Sequence, residues 1–371
     1  MKPVLFVTGH APAYRVGALA CLHEREQIEL ALFGGRSLHG GADFHGDLPF
    51  PHRHVQPHEL YALAAGGRYR AVVCPTGGRL APLATWAGAR RARVPLILWA
   101  SLWAHPRTAA HALSYLALMR LYRSADAVVT YGPHVSAYVS THGARNVFVA
   151  PQSVDNDFWR SADVSPPSDP RWPASARTRF LFVGRPTPEK GLSVLLAAWR
   201  AARAEEAGAA LALAGVRDAP QAPGEPASPD AASGAPIVSL GALAPEALRN
   251  VYAASDVLVV PSVATRTFRE PWGLVVNEAM NQQLAVIATD AVGAAAGGLV
   301  RDDGNGLIVA AGDSRALAGA IVRLANDPAL RERLGRTGSE DVLAYSHEAW
   351  AQGFSRALAS LNVSGAIGSV E

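Results

Sequence analysis

The stretch "FLFVGRPTPEKGLSVLLAAW" (180–199) reads as one complete strand–loop–helix unit, and its reading decides the fold. "FLFV" is a short apolar run with no residue suited to water, so it belongs inside a parallel sheet covered on both faces. "GLSVLLAAW" carries apolar residues at helical spacing. Between them, Thr187 is placed to cap a helix and Pro188 suits its first position. Glu189 then complements the positive end of the helix dipole. Lys190 in the same turn opposes it, by about 0.3–1 kcal/mol. Lys190 is one of only two lysines in the chain, the other being Lys2. An arginine-rich base composition weakens any argument from that rarity alone. Two readings stay open here. A phosphate can occupy the helix terminus, held by backbone N–H groups, Lys190 and Arg185. Alternatively, Glu189 and Lys190 form a solvated surface pair.

Working outward, the same unit repeats. Upstream, "PVLFVTG", "IELALFGG", "YRAVVCP", "VPLILWA", "ADAVVTYG" and "NVFVAP" are strand-like, with helical stretches between them. Downstream, "TRFLFVGR", "AALALAGV", "APIVSLG", "DVLVVPS", "LAVIATD" and "NGLIVAAG" continue the pattern. This alternation predicts an α/β protein with parallel sheets. A stretch rich in Pro, Ser and Asp, without periodicity, separates the two series. The predicted division is a first Rossmann-like domain over 1–153, a linker over 154–177, a second Rossmann-like domain over 178–345, and a terminal helix and tail over 346–371. Ligands of such sheets bind beyond the C-terminal strand ends. The Pro/Ala/Gly-rich stretch 217–236 reads as a mobile loop, and the final "SGAIGSVE" as frayed.

Composition bounds the function. A chain of 371 residues with a net charge of +3 and 49% hydrophobic residues has material for two cores. The balance is too weakly basic for nucleic acid, and no dense Lys/Arg run occurs. Cys21 and Cys74 form no CxxC pattern, which argues against a disulfide framework or a zinc site and fits a reducing cytoplasm. No signal-peptide pattern or membrane-spanning run is present.

The second informative stretch is "TFREPWGLVVNEAMNQQ" (267–283). Pro271 predicts a helix start, with Glu270 just ahead of the helix and Glu278 in its body. Free N–H groups of Gly273, Leu274 and Val275 would face an anion. A surface glutamate and a satisfied helix glutamate are the bland alternative. The loop at Lys190 is not a Walker loop, since Glu189 precedes the lysine and Gly191 follows it. GxGxxG is absent after both first strands, which disfavours nicotinamide or flavin.

In order and spacing, "FVGRPTPEKGLSVLLAAW", "VSLGALAPEALRNVYAASDVLVVPS", "REPWGLVVNEAM", "AVIATDAVGAAAGGLVRDDGNGLIVAAGD" and "YSHEAWAQGF" resemble the retaining family-4 glycosyltransferases. The first half agrees more loosely, through "HAPAYRVGALACL", "ADAVVTYGPHVSAYV" and "VAPQSVDNDFW". The resemblance implies a GT-B fold: two Rossmann-like domains facing a cleft, with a C-terminal helix crossing back to the first. It implies that Arg185 and Lys190 neutralise the diphosphate of a nucleotide sugar and that Glu278 accepts from ribose hydroxyls. Glu270 would hold hydroxyls of the transferred sugar. Backbone at Gly273, Leu274 and Val275 would touch sugar and phosphate, and Gly184 and Gly241 would border the donor. Gly9 and His10, in the turn after the first strand, would reach the donor from the first domain. Departures are the missing Gly-Asp/Glu-Gly element after "LALAG", Gln152 in place of the usual Asn, and no adjacent glycines in "TGHAPAYRVG".

His10, His105 and His134 all follow strands. The resemblance singles out His105 for a place near the reacting sugar, while a structural or solvated histidine remains the alternative for each. "RTAAHALSYLALMRLYR" is either a core helix with an exposed arginine face or a helix that grazes a membrane. No DxD pair stands at a strand end, so no metal and no cofactor are expected. The expected function is transfer of a hexose-like sugar, with retention, to a hydroxyl of a glycan, lipid-linked or small-molecule acceptor. The expected setting is the cytoplasm or the inner membrane face. A GT-B nucleotide-sugar epimerase and a catalytically silent sugar-nucleotide-binding protein are the alternatives.

Overall fold

The computed structural model describes residues 2–34, 48–78, 80–217 and 237–363. The loop expected over 217–236 lies, beyond Arg217, outside the described residues, as does the tail "SGAIGSVE". The chain divides into two compact units, residues 1–155 with 344–371, and residues 156–343.

The first unit is a parallel sheet of seven strands. They are β1 (Val4–Thr8), β2 (Ile28–Leu32), β3 (His52–His54), β4 (Ala71–Pro75), β5 (Leu96–Ala100), β6 (Ala127–Thr130) and β7 (Val147–Val149). Their order is β3-β2-β1-β4-β5-β6-β7. Helices α1 (Ala13–Glu26), α2 (Leu60–Ala65), α3 (Ala81–Ala92), α4 (Ala109–Ser124) and α5 (Pro133–Thr141) alternate with them. The strands lack polar faces because both faces are covered. Val4, Phe6, Val73, Ile97 and Val129 pack into one core. The alternate residues Leu5, Val7, Val72, Leu98 and Val128 pack into another. Only β3 had no signature in the sequence. Its "HRH" is polar because it lies at the sheet edge, half-covered.

The second unit opens with α6 (Asn156–Arg160). It continues as β8 (Thr178–Val183), α7 (Leu192–Ala202), β9 (Ala209–Ala214), β10 (Ile237–Gly241), α8 (Pro245–Ala253), β11 (Val257–Val260) and α9 (Val275–Asn281). Then come β12 (Ala285–Thr289), α10 (Gly293–Ala296), β13 (Gly306–Val309), α11 (Ser314–Asn326) and α12 (Pro328–Asp341). Its six parallel strands run β10-β9-β8-β11-β12-β13. The segment after α6 is tied to α8. Arg249 donates to the carbonyls of Phe158 (3.1 Å) and Asp163 (2.7 Å), and Ser165 N–H donates to Asn250 Oδ1 (3.1 Å).

The last helix, α13 (His347–Ser360), belongs to the first unit. Trp350 and Phe354 are fully buried, with Phe354 5.4 Å from the Phe6 ring and Trp350 5.7 Å from the Trp99 ring. Gly353 is small for a reason: a Cβ there would come 2.5 Å from the Val149 carbonyl of β7.

Candidate active site

The second unit gathers three loops at the C-terminal ends of its strands. The loop after β8 runs through Gly184, Arg185 and Thr187 into a single 3-10 turn, Pro188–Lys190. The expected helix start at Pro188 is therefore corrected. Gly191 adopts φ +66°, which ends the turn, and α7 begins only at Leu192. Lys190 is not in the first turn of α7, so the dipole argument against its charge does not apply. Glycine is required at 191, because a Cβ would lie 1.9 Å from the Pro261 carbonyl oxygen. That close approach, with Val263 N–H donating to Glu189 O at 2.9 Å, fastens the turn to the loop after β11.

Further along, the same loop between β11 and α9 brings Glu270 against the third loop, which follows β12. The Glu270 backbone pairs with Val292 ahead of α10. Gly293 has no Cβ to obstruct the Pro271 carbonyl, and Ala294 N–H donates to Trp272 O at 2.7 Å. Glu270 is buried, at 7% exposure, and its Oε2 accepts from Lys190 Nζ at 2.5 Å. The solvated Glu189–Lys190 pair is thus not what forms. Glu189 accepts from the Thr187 hydroxyl at 2.7 Å. Burial raises the Glu189 pKa, but that bond, its own N–H and the charges of Lys190 and Arg185 together hold it below the ordinary value. Arg185 is exposed in the same loop, without a carboxylate partner among the described residues.

The helix expected at Pro271 also starts later. Gly273 takes φ +90°, and α9 begins at Val275. Its first bonds are Val276 N–H to Gly273 O and Glu278 N–H to Leu274 O, at 3.0 and 3.1 Å. Gly273, Leu274 and Val275 therefore form the entrance to the helix, with Leu274 and Val275 partly exposed. Glu278 does not meet Glu270. Its Oε2 accepts from Tyr252 Oη at 2.8 Å. Burial pushes the Glu278 carboxyl up to about 7, against the lowering effect of that bond. Burial, and then the Glu278 charge, push the Tyr252 phenol well above its ordinary value.

The family model described as "Glycosyl transferases group 1" matches residues 177–327, the segment that carries every one of these loops. Residues 177–327 thus resemble a group 1 glycosyltransferase domain. No curated protein matches the chain. Among solved structures, sucrose-phosphate synthase from Thermosynechococcus elongatus aligns with a TM-score of 0.70 at 22% identity, covering 98% of this chain and 99% of the other. The Anabaena protein HepE, solved with UDP and glucose, aligns at 0.69 and 19% identity, covering 97% and 100%. Trehalose 6-phosphate synthase from Burkholderia multivorans aligns at 0.70 and 14%, covering 98% and 97%. The fold is GT-B, built from two Rossmann-like units.

Within the second unit, the remaining expected residues sit in strand-end turns. Gly184 N–H donates to Ala214 O at 3.0 Å. Gly241, at φ +68°, exchanges backbone bonds with Gly215 and Val216. Gly215 is a glycine that the motif reading passed over. Its φ is +86°, and a Cβ would come 2.6 Å from the Gly184 carbonyl oxygen. Tyr252 and Ser262 were also missed. Tyr252 meets Glu278 only through the fold, and nothing local marks it. Ser262 follows β11 in "VVPS", a strand-end position that was a usable signal, and its hydroxyl is buried without a partner among the described residues. Asn277 accepts from the Trp272 indole at 2.8 Å and so braces the Glu270–Gly273 turn from inside α9.

Gly9, His10, His105 and His134 lie in the first unit: Gly9 and His10 follow β1, His105 lies between β5 and α4, and His134 is in the first turn of α5. Gly9 O accepts from Gly34 N–H at 2.8 Å, and the His10 carbonyl accepts from the Thr8 hydroxyl at 3.4 Å. The His105 ring meets Tyr115 of α4 edge-on at 4.9 Å, and His134 meets Trp103 at the same distance. Among the described residues, no group of three or more His, Cys, Asp or Glu side chains is arranged to hold a metal ion.

Proposed function

We propose that this protein transfers a hexose-like sugar from a nucleoside diphosphate sugar to an acceptor hydroxyl, with retention of anomeric configuration. The observation that carries the reading is the Lys190–Glu270 contact at 2.5 Å, made between two strand-end loops of the segment that the family model matches. The Lys190 ammonium group rests on the buried Glu270 carboxylate. A diphosphate entering beside Arg185 offers Lys190 a stronger, doubly charged partner. Lys190 then moves to the phosphate, and Glu270 is released to accept from sugar hydroxyls. One rearrangement thus prepares both halves of the donor.

In the reaction, the bond between the anomeric carbon and the phosphate oxygen breaks, and negative charge grows on the leaving diphosphate. Once the donor is bound, Arg185 and Lys190 face that growing charge, so they stabilise the transition state more than the ground state. They supply the counter-charge for which a metal is used elsewhere, and the reading needs no metal. Glu278, in its ionised form, accepts from the ribose hydroxyls. HepE, solved with UDP and glucose, supports a nucleotide sugar as the donor class. The acceptor is a glycan, a lipid-linked glycan or a small molecule, and the setting is the cytoplasm.

The test is turnover with a panel of nucleotide sugars, with the product anomer read by NMR. Lys190→Ala is expected to fold normally and to lose about 10²–10³ in turnover, the range for removing one charge-stabilising group. Near-normal turnover, or a product of inverted configuration, contradicts the proposal.

A further inference from the structure

Residues 60–125 contain nine arginines and not one aspartate or glutamate. Arg68 and Arg70 reach back to Glu29 and Glu26. Arg90, Arg91, Arg93, Arg107, Arg120 and Arg123 are exposed and have no carboxylate partner among the described residues. They stand on and beside α3 and α4, helices that cover the sheet face opposite α1 and α13. Large apolar side chains are exposed among them: Leu80 at 64%, Leu83 at 39%, Leu116 at 75%, and Tyr61 of the adjoining α2 at 45%.

Between α3, α4 and the end of α5 lies a cavity of about 620 Å³. Its lining includes Trp86, Arg90, Tyr115, Arg120, Arg123 and His142. The Arg120 guanidinium lies over the Trp86 ring at 5.8 Å. The stem of Arg123 rests on Gly143, where a Cβ would meet its Cγ at 2.7 Å. The Trp86 indole N–H is buried without a hydrogen-bond partner among the described residues, so the cavity wall keeps an unused donor.

Complementing helix C-termini explains Arg90 and Arg123, which sit in the last turns of α3 and α4. It does not explain Arg120, Arg107 or the exposed leucines. We propose that this face docks on an anionic phospholipid bilayer, with a headgroup phosphate entering the arginine-lined cavity and Leu116, Leu83 and Leu80 reaching the acyl boundary. The charge pattern selects an anionic partner. The leucines favour a lipid over a nucleic acid, whose phosphates and bases give exposed aliphatic side chains nothing to enter. Docking would also present the first unit to an acceptor carried by the lipid. The inference does not depend on the proposed transfer reaction, because vesicle binding is read without turnover.

The experiment is co-sedimentation of the full chain with sucrose-loaded vesicles. One set is phosphatidylcholine alone, and the other carries about 30% phosphatidylglycerol at about 0.1 M salt, where basic clusters distinguish the two. The expected result is binding to the anionic vesicles alone. It should fall at least tenfold in Arg120→Glu and in Leu116→Ser, two exposed positions whose replacement leaves the melting temperature unchanged. Equal binding to both vesicles, no binding to either, or unaltered binding by both variants overturns the proposal. So does Arg120-dependent stabilisation by inorganic phosphate, or by an acidic polypeptide or oligonucleotide, with no vesicle binding. The first of these outcomes would assign the cavity to a free anion instead.

Discussion

Glu278, under the proposed reading, sets a condition on binding. Its carboxyl titrates at about 7 because burial penalises the charge. If its ionised form accepts from ribose hydroxyls, nucleotide affinity rises as pH passes upward through about 7, and then levels off. Removing the Tyr252 hydrogen bond takes away a lowering influence, so Tyr252→Phe moves that midpoint upward. Titration calorimetry across pH checks both, and a flat profile contradicts them. The stability sign follows separately. The folded-state pKa lies above the ordinary value of 4.5, so the folded form binds the proton more tightly. The associated stability is fully present below about 4.5 and is lost as pH rises through about 7. Glu278→Gln, which stays neutral, should therefore gain melting temperature on the wild type at about pH 8.5 but not at about pH 5.

At the scale of elements, left-handed glycines decide where the site's helices begin. Gly191→Ala puts an L side chain at φ +66° and its Cβ 1.9 Å from the Pro261 carbonyl oxygen. The expected cost is at least about 2 kcal/mol of stability. A thermal melt should show it as a drop of several degrees, accompanied by lost turnover as the Lys190 turn is displaced. An unchanged melt contradicts the packing described. These glycines also explain what the sequence did and did not reveal. Twelve of the strands were legible because continuous apolar runs admit only a buried sheet, whereas β3, with "HRH", has nothing apolar to show. Helix starts at Pro188 and Pro271 were read too early, because a capping signal does not disclose that Gly191 and Gly273 turn left-handed. Lys190 and Glu270 stood out individually through their residue types and neighbours. Their contact spans 80 positions and required the sheet order to become visible.

At the scale of the molecule, the chain leaves the first unit after Asp155 and returns at Ala344, so that unit is completed by its own C-terminal helix. Trp350 and Phe354 fill the core beside Phe6 and Trp99. Trp350→Ala should lower the stability of the first unit by about 3–5 kcal/mol. The second unit, which contains neither residue, should retain its own transition, and a nucleoside diphosphate should still raise it. Calorimetry resolves the two, and uniform loss of both transitions contradicts a division of labour between the units.

The central claim is that Lys190 and Arg185 hold the diphosphate of a donor at the strand ends of the second unit. Titration calorimetry of a panel of nucleoside diphosphates against the wild type and Lys190→Ala tests it without any knowledge of the acceptor. The account predicts that at least one diphosphate binds, that the corresponding monophosphate binds more weakly, and that Lys190→Ala weakens the diphosphate at least tenfold. Equal diphosphate affinity in the wild type and Lys190→Ala, or no binding of any diphosphate, would contradict it.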